Sequence, residues 1–275
     1  MNWTKIFAIA KKDIREATQN KAVWLPILIV PVIFVIVLPL MMIFIFGSPD
    51  LAKSTNSTDI AQLMSVMPEF MKLQVAGMNE TQTMVVLMLG YFFAPFFLIL
   101  PLMFSTTIAA ESFAGERERK TIEALLYTPA SDAELFIGKA LASFIPAVSI
   151  TWASFLGYIL VLNAGAYHIV GHIWFPLSNW YPLIFWVSPA ISLLGIAITV
   201  LISAKVQTFM GAYQTSASLV VLVLGLLAGQ ATGVLALSVG VGLLIGLVLW
   251  LVDAVMLYFA IRTFNRYQLL QTSVS

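Results

Sequence analysis

Three groups of residues in this sequence have types and spacings that could do chemistry. The first is residues 111 to 139, ESFAGERERKTIEALLYTPASDAELFIGK, which hold 10 of the 27 charged residues in the chain. Glu116 with Lys120, and Arg119 with Glu123, are opposite charges at i,i+4, each stabilising an exposed helix by about 0.2–0.5 kcal/mol. Ile122, Leu125 and Leu126 give that helix a compact apolar stripe. Pro129 stops it, and Ser131 with Glu134 forms a capping box that starts the next helix. A solvated loop has little use for three clustered aliphatics, so the chemistry here is docking. The second group is Asp253, the one charge well inside a long apolar stretch, nine residues before Arg262. A carboxylate in that position could hold an ion or a proton, or could reach water near the helix end or hydrogen-bond a neighbouring hydroxyl. The third is His168 with His172, at the i,i+4 spacing that shares a metal on a helix. No glutamate follows His168 and no third ligand is evident, so no metal is expected.

Several chemistries are excluded. The run from Gly115 to Lys120 and Thr121 has the outline of a phosphate-binding loop. It lacks the glycine before the lysine, no strand precedes it, and Glu and Arg side chains crowd it, so this chain is not expected to bind ATP. With no cysteine there is neither a thiolate metal site nor a cysteine nucleophile. A Gly-x-Ser-Gly nucleophile motif is missing, no histidine falls in the long apolar runs, and a single aspartate cannot form a dyad, so no catalytic residues are assigned.

The elements that must position these residues are membrane helices. Of the 275 residues 60% are hydrophobic and 10% charged, and mean hydropathy is +0.96. Soluble domains run at about 45–50% apolar and about 25% charged. Net charge is +1, which gives no global attraction to nucleic acid. A helix needs about 20 apolar residues to cross about 30 Å of hydrocarbon. Six segments qualify: residues 24–46, 84–110, 140–162, 183–203, 210–228 and 234–261. The last two come from a 47-residue stretch without charge, divided by a turn at Gly229 to Gly233. With the N-terminus inside, the cytoplasmic pieces carry 12 lysines and arginines and the external pieces 2, Lys53 and Lys72. That asymmetry predicts both termini in the cytoplasm.

Residues 1–23 place Trp3, Ile6, Phe7, Ala10, Ile14 and Ala17 on one helical face, a helix lying in the inner interface. The external loop 47–83 is predicted to hold a methionine-rich amphipathic helix broken near Pro68. Tyr167, Trp174, Phe175, Trp180 and Tyr181 in residues 163–182 are expected to form an interfacial belt. Seven prolines inside the spans, Pro26, Pro31, Pro39, Pro95, Pro101, Pro146 and Pro189, predict kinks. Ser238, Gly242 and Gly246, like Gly225, Gly229 and Gly233, make small-residue faces for close helix packing, span five against span six, or a dimer contact.

The spaced set Glu111, Gly115-Glu116, Lys120-Thr121-Ile122-Glu123-Ala124-Leu125-Leu126, Thr128-Pro129, Glu134 and Gly138-Lys139 resembles the cytoplasmic segment of type-2 ABC transporter permeases. The likeness extends along the chain, from the amphipathic N-terminal helix through six spans and a large first external loop to the compact final pair. Within that family it is loosely similar to the sodium-efflux and copper-enzyme-maturation permeases. The resemblance implies an all-α integral membrane fold, a single permease domain over residues 1–275, in the cell membrane. Residues 111–139 would be a coupling helix seated on a separate ATPase, with Glu116, Arg119, Lys120, Thr121, Ile122, Glu123, Leu125 and Leu126 as its contacts. Two ATPase subunits, carrying the ATP and Mg, and a second permease copy or paralogue would complete an exporter.

Almost no charge lies within the spans, which favours an apolar or amphipathic cargo such as a lipid, drug or peptide over a well-solvated ion. An ion-efflux permease of the sodium type remains the alternative. A secondary transporter would show inverted repeats, and none is evident between residues 1–135 and 136–275. An intramembrane enzyme lacks its catalytic groups.

Overall fold

A computed structural model describes residues 1–47, 68–119, 128–206, 208–232 and 237–263. An amphipathic helix, α1 (Trp3–Gln19), precedes the first long apolar helix, α2 (Lys21–Gly47). The short α3 (Glu69–Val75) follows. The remaining long helices are α4 (Glu80–Glu118), α5 (Asp132–Gly165), α6 (Trp180–Ser203), α7 (Phe209–Ala231) and α8 (Val239–Thr263). Among the described residues six helices, α2 and α4 to α8, are long and apolar enough to cross a membrane, so the protein is an all-α, multi-pass integral membrane fold. α4 and α6 are the inner pair, with 78% of their most apolar stretch buried, whereas α7 and α8 reach only 17% and leave most of their surface to lipid or a neighbour.

α1 is held by what its sequence provides at each end. Asn2 accepts from the Thr4 amide at 3.0 Å, and Asn20, which ends α1, accepts from the Ala22 amide at 3.0 Å and so starts α2. The expected apolar face divides. Ile6, Ala10 and Ala17 are buried together with Asp13, while Trp3 and Phe7 stay 58% and 55% exposed, as anchors in an interface would. α1 crosses α5 at Gly138, where a Cβ would lie 2.9 Å from Ile9 Cβ and 3.1 Å from the Ile6 carbonyl oxygen. Only glycine permits that approach. Beyond it the predicted capping box forms: Ser131 Oγ accepts from the Glu134 amide at 3.2 Å, and Glu134 Oε2 accepts from the Ser131 amide at 3.0 Å.

Prolines shape the spans by widening turns. Each of Pro39, Pro95 and Pro189 lacks an amide for the carbonyl four residues earlier, which belongs to Val35, Tyr91 and Phe185 respectively. Those three residues lie in π-helical turns, Ile33–Val37, Met88–Phe92 and Leu183–Val187. A carbonyl released in hydrocarbon must find another donor, and in α4 side chains from three other helices supply them. Tyr158 Oη donates to the Leu89 carbonyl at 2.9 Å, Trp180 Nε1 to Gly90 at 2.7 Å, and Gln230 Nε2 to Tyr91 at 2.8 Å. In α6, Trp152 Nε1 reaches the Ile184 carbonyl at 3.1 Å.

Two helices run past the expected span ends, and two expectations about packing are corrected. The helix of span two continues past Ala110 to Glu118, with a π-helical turn at Glu111–Gly115 whose residues are all buried. The fifth helix runs through Gly229 to Ala231 before it ends. Phe175 and Trp180 are not an interfacial belt: they are 1% and 0% exposed and pack with Phe97, Phe155 and Tyr158. Only a packed core satisfies so many rings at once, and Tyr167 and Tyr181 alone among the five stay more than one-third exposed. The Gly242 and Gly246 face rests on α6 rather than on the fifth helix. A Cβ at Gly242 would lie 3.1 Å from Pro182 Cβ, and one at Gly246 would enter the Trp186 ring. Ser238, on the same side, accepts from the Val241 amide at 3.3 Å. Between the first two long apolar helices, α3 starts directly after Pro68, and the segment before Pro68 lies outside the described residues.

Candidate functional site: the charged end of the bundle

Most of the described charged residues gather at one end, where α1, the tail of α4 and the start of α5 meet. Consecutive residues of a helix point about 100° apart, so Glu116, Arg117 and Glu118 leave α4 in three directions. Glu116 turns to α1 and α5. Arg117 Nη1 donates to the Ser203 carbonyl at 2.5 Å, at the C-terminus of α6. Glu118 Oε2 accepts from the Phe209 amide at 2.8 Å, at the N-terminus of α7. A cation at one helix C-terminus and an anion at the next N-terminus both suit the helix dipoles. The tail of α4 therefore grips four other helices within one turn.

The centre of this arrangement is a buried ion cluster. Lys139 Nζ lies 2.7 Å from Glu116 Oε2 and 3.1 Å from Asp13 Oδ2, and donates to the Ser112 carbonyl at 2.7 Å. Ser112 Oγ donates to Asp13 Oδ2. Lys12 Nζ closes the outer side, 2.9 Å from Glu116 Oε1 and 3.2 Å from Glu16 Oε1. The side chains of Lys139, Asp13 and Glu116 are 1%, 2% and 4% exposed. Two ammonium groups balance the two buried carboxylates, with the partly exposed Glu16 at the edge, and the desolvation cost of the buried charges is offset by short contacts. Burial alone would lower the affinity of Lys12 for its proton. The Glu116 carboxylate, with Asp13 and Glu16, outweighs that and holds Lys12 above its ordinary value of 10.5. Around the rim, Lys5 Nζ donates to the Pro129 carbonyl at 2.6 Å and the Asn2 amide to Glu134 Oε1 at 2.6 Å. Carboxylate oxygens of Asp13, Glu16 and Glu116 lie within 4.8 Å of one another, a spacing that could hold a metal ion. Lys12 sits among them, so the three acids read as its counter-ions.

Of the predicted contact residues, Glu116 and Arg119 are described. Glu116, expected on an exposed face with Lys120, is instead 3% exposed and bound to Lys12 and Lys139. Arg119, expected to pair with Glu123, places Nη1 2.6 Å from Glu111 Oε1. Lys120, Thr121, Ile122, Glu123, Leu125 and Leu126 lie outside the described residues. Asp253 is 1% exposed, and neither of its oxygens has a hydrogen-bond partner among the described residues. His172 Nδ1 is 3.2 Å from the Val170 carbonyl, a local turn contact.

Asp13 and Ser112 were not singled out in the sequence, and Lys139 was noted there without its buried partners. Asp13 carried a legible signal, because Ile6, Ala10, Asp13 and Ala17 follow the 4-3-4 spacing of one helical face. Lys139 carried a weaker one, standing two turns inside a helix whose start Ser131 had already marked.

Six apolar helices among the described residues, with an interlocked charged end, are the architecture of a multi-pass membrane protein. The family model described as ABC-2 family transporter protein matches residues 7–261, and the chain belongs to that family. No curated protein and no solved structure matches it.

Proposed function

We propose that this chain is the permease subunit of an ATP-driven exporter in the cell membrane, with both termini cytoplasmic, coupled to separate ATPase subunits through residues 116–126. The observation that carries the reading is the charged end itself. Glu116, Arg117 and Glu118 link the segment that follows them to α1, α5, α6 and α7, so a push on that segment is delivered to four helices together. Lys120, Thr121, Ile122, Glu123, Leu125 and Leu126, with Arg119 at their edge, form the contact surface. Glu116 acts from inside, as the anchor. Two ATPases, each holding ATP and Mg, and two permeases make the assembly.

An apolar or amphipathic cargo fits the spans best. Ser105, Thr107, Ser143, Thr151, Ser188, Ser192, Thr199 and Ser203 all donate to carbonyls of their own helices. Such hydroxyls are not left aimed into a channel as a hydration substitute for an ion. Asp253, with two open acceptors, is the observation on the side of ion efflux. The test is reconstitution into proteoliposomes with ABC ATPases from the same genome, following ATP-dependent efflux of a fluorescent amphipathic dye and of sodium. Efflux of dye without sodium is expected. Replacing Glu123 and Leu126 together should abolish efflux while ATP hydrolysis continues; full efflux in that variant would remove the coupling role.

A further inference from the structure

Trp3, Phe7, Lys11 and Arg15 stand at successive i,i+4 positions of α1, a spacing that puts them in one row along the helix. All four are exposed, and the Trp3 and Phe7 ring centroids lie 6.3 Å apart. Cations on the opposite side of α1 are committed, Lys12 to carboxylates and Lys5 to the Pro129 carbonyl. Lys11 and Arg15 differ, and so does Lys21 at the start of α2. Each is exposed, and none of the three side chains has an ion pair or hydrogen bond among the described residues. No carboxylate stands three or four residues from Lys11 or Arg15. The nearest in sequence, Asp13 and Glu16, are turned to Lys139 and Lys12. Like charges at i,i+4 weaken a helix, so this face of α1 is complete only when an anion from outside the chain meets it.

Lys21 sets the level of this face in the bilayer. It heads the stripe Leu25, Leu28 and Val32, all exposed, which is the side α2 gives to acyl chains. An ammonium at the end of such a stripe sits at headgroup depth, with its stem along the apolar surface. Asn20, extended at φ −85° and ψ 109°, breaks the helix there, so α1 leaves the axis of α2 at that same level. We infer that the outer face of α1 docks anionic phospholipid headgroups in the leaflet at the charged end. Lys11 and Arg15, about 6 Å apart along the axis, take the phosphates, Trp3 and Phe7 enter the apolar boundary beneath them, and Lys21 adds a third cation at the same depth. An acidic protein surface would match the cations, but not the aromatic rings in their row or the lipid-facing stripe below Lys21. Lys11 and Arg15 each point about 160° away from Asp13 around α1. The headgroups therefore hold α1 from the side opposite the ion cluster, and the lipid composition of the leaflet bears on how firmly α1 is seated. The site rests on the membrane fold and not on the coupling reading.

The experiment uses the full-length chain in phosphatidylcholine vesicles containing about one-quarter phosphatidylglycerol, with spin-labelled phosphatidylglycerol or phosphatidylcholine as probe. Electron spin resonance reads the fraction of each probe immobilised on the protein. Wild type is expected to prefer phosphatidylglycerol about tenfold, and the preference to fall towards unity as salt rises from about 0.1 M to about 1 M. Lys11→Gln with Arg15→Gln should lose most of it, whereas the exchange Lys11→Arg with Arg15→Lys should keep it. Lys72→Gln, on α3 at the opposite end of α4, should leave it unchanged. Thermal unfolding of each variant in neutral detergent separates lost binding from lost fold, and the charge-keeping exchange tests the same positions in a folded chain. If the double glutamine variant is folded and keeps the wild-type preference, the inference is overturned. It is overturned too if inorganic phosphate alone stabilises the lipid-free protein and the double variant loses that effect, which assigns the cations to a soluble anion. A wild type without lipid preference, whose salt-dependent binding to an ABC ATPase needs Lys11 and Arg15, would give the face to a protein partner and overturn it as well.

Discussion

Lys139 on α5 and Glu116 at the end of α4 meet with 2.7 Å between Nζ and Oε2, their side chains 1% and 4% exposed. The pair ties the segment after α4 to the helix that follows it, and Asp13 brings α1 into the same knot. A neutral buried cluster of this kind adds little net stability when intact, but removing one member leaves an uncompensated charge behind.

Lys139→Met is therefore expected to destabilise the protein by about 3–5 kcal/mol, with Glu116→Gln costing less because Asp13 still faces the ammonium. Unfolding of the purified protein in mixed micelles measures both. The double variant should lose less than the sum of the two single variants, since the pair shares one interaction; additive losses would show the contact to be energetically idle.

Lys12 gives the cluster a pH signature. Because folding raises its proton affinity above the ordinary 10.5, its contribution is fully present below that pH and is lost as pH rises through the higher folded value. The difference in unfolding temperature between wild type and Lys12→Met should stay constant from pH 6 to 10 and shrink only in stronger alkali. A difference that changes near neutrality would mean another group governs it.

Trp180 is expected to be sensitive at a single atom. Its Nε1 donates to the Gly90 carbonyl at 2.7 Å in the turn that Pro95 widens. Trp180→Phe removes that donor along with part of the ring, and leaving a buried carbonyl unpaired costs about 1–3 kcal/mol before any loss of packing. Pro95→Ala restores an amide for the Tyr91 carbonyl and should reduce the penalty of Gln230→Leu, whose wild-type side chain donates to that same oxygen at 2.8 Å. Thermal unfolding of the Pro95→Ala, Gln230→Leu and double variants reads this coupling directly.

Asp253→Leu is expected to stabilise the protein, by about 1–3 kcal/mol, since both carboxyl oxygens are buried without partners. Dye efflux should persist in the variant. Loss of efflux together with higher stability would mark Asp253 as a residue kept for transport at the expense of folding, and would favour the ion-efflux alternative.

Much of the molecule could be read from one dimension. The spans follow from runs of charge-free residues, and the Ser131–Glu134 cap from two residues three apart; each concerns neighbours in sequence, where spacing decides contact. The candidate site was legible only at its edges. Glu116 and Arg119 stood out as charges, but were assigned to neighbours four residues away, because local spacing is the only geometry a sequence displays. Their observed partners, Lys12, Lys139 and Glu111, depend on how far α4 continues past the predicted boundary at Ala110 and on where α1 crosses α5. The aromatics before α6 misled for a related reason: Trp and Tyr near a span end suit an interface as well as a core, and only packing against Phe155 and Tyr158 distinguishes the two.

The sequence by itself determined that six helices enter the bilayer and that the charge collects at one end, because the cost of placing each residue in hydrocarbon or water is local and nearly additive along the chain. Only the tertiary structure decided which charges neutralise which, and which side chains recapture the carbonyls that proline sets free. Those outcomes depend on distances between helices, and such distances are fixed by close approaches like that of α1 to α5 at Gly138, which no spacing along the chain specifies.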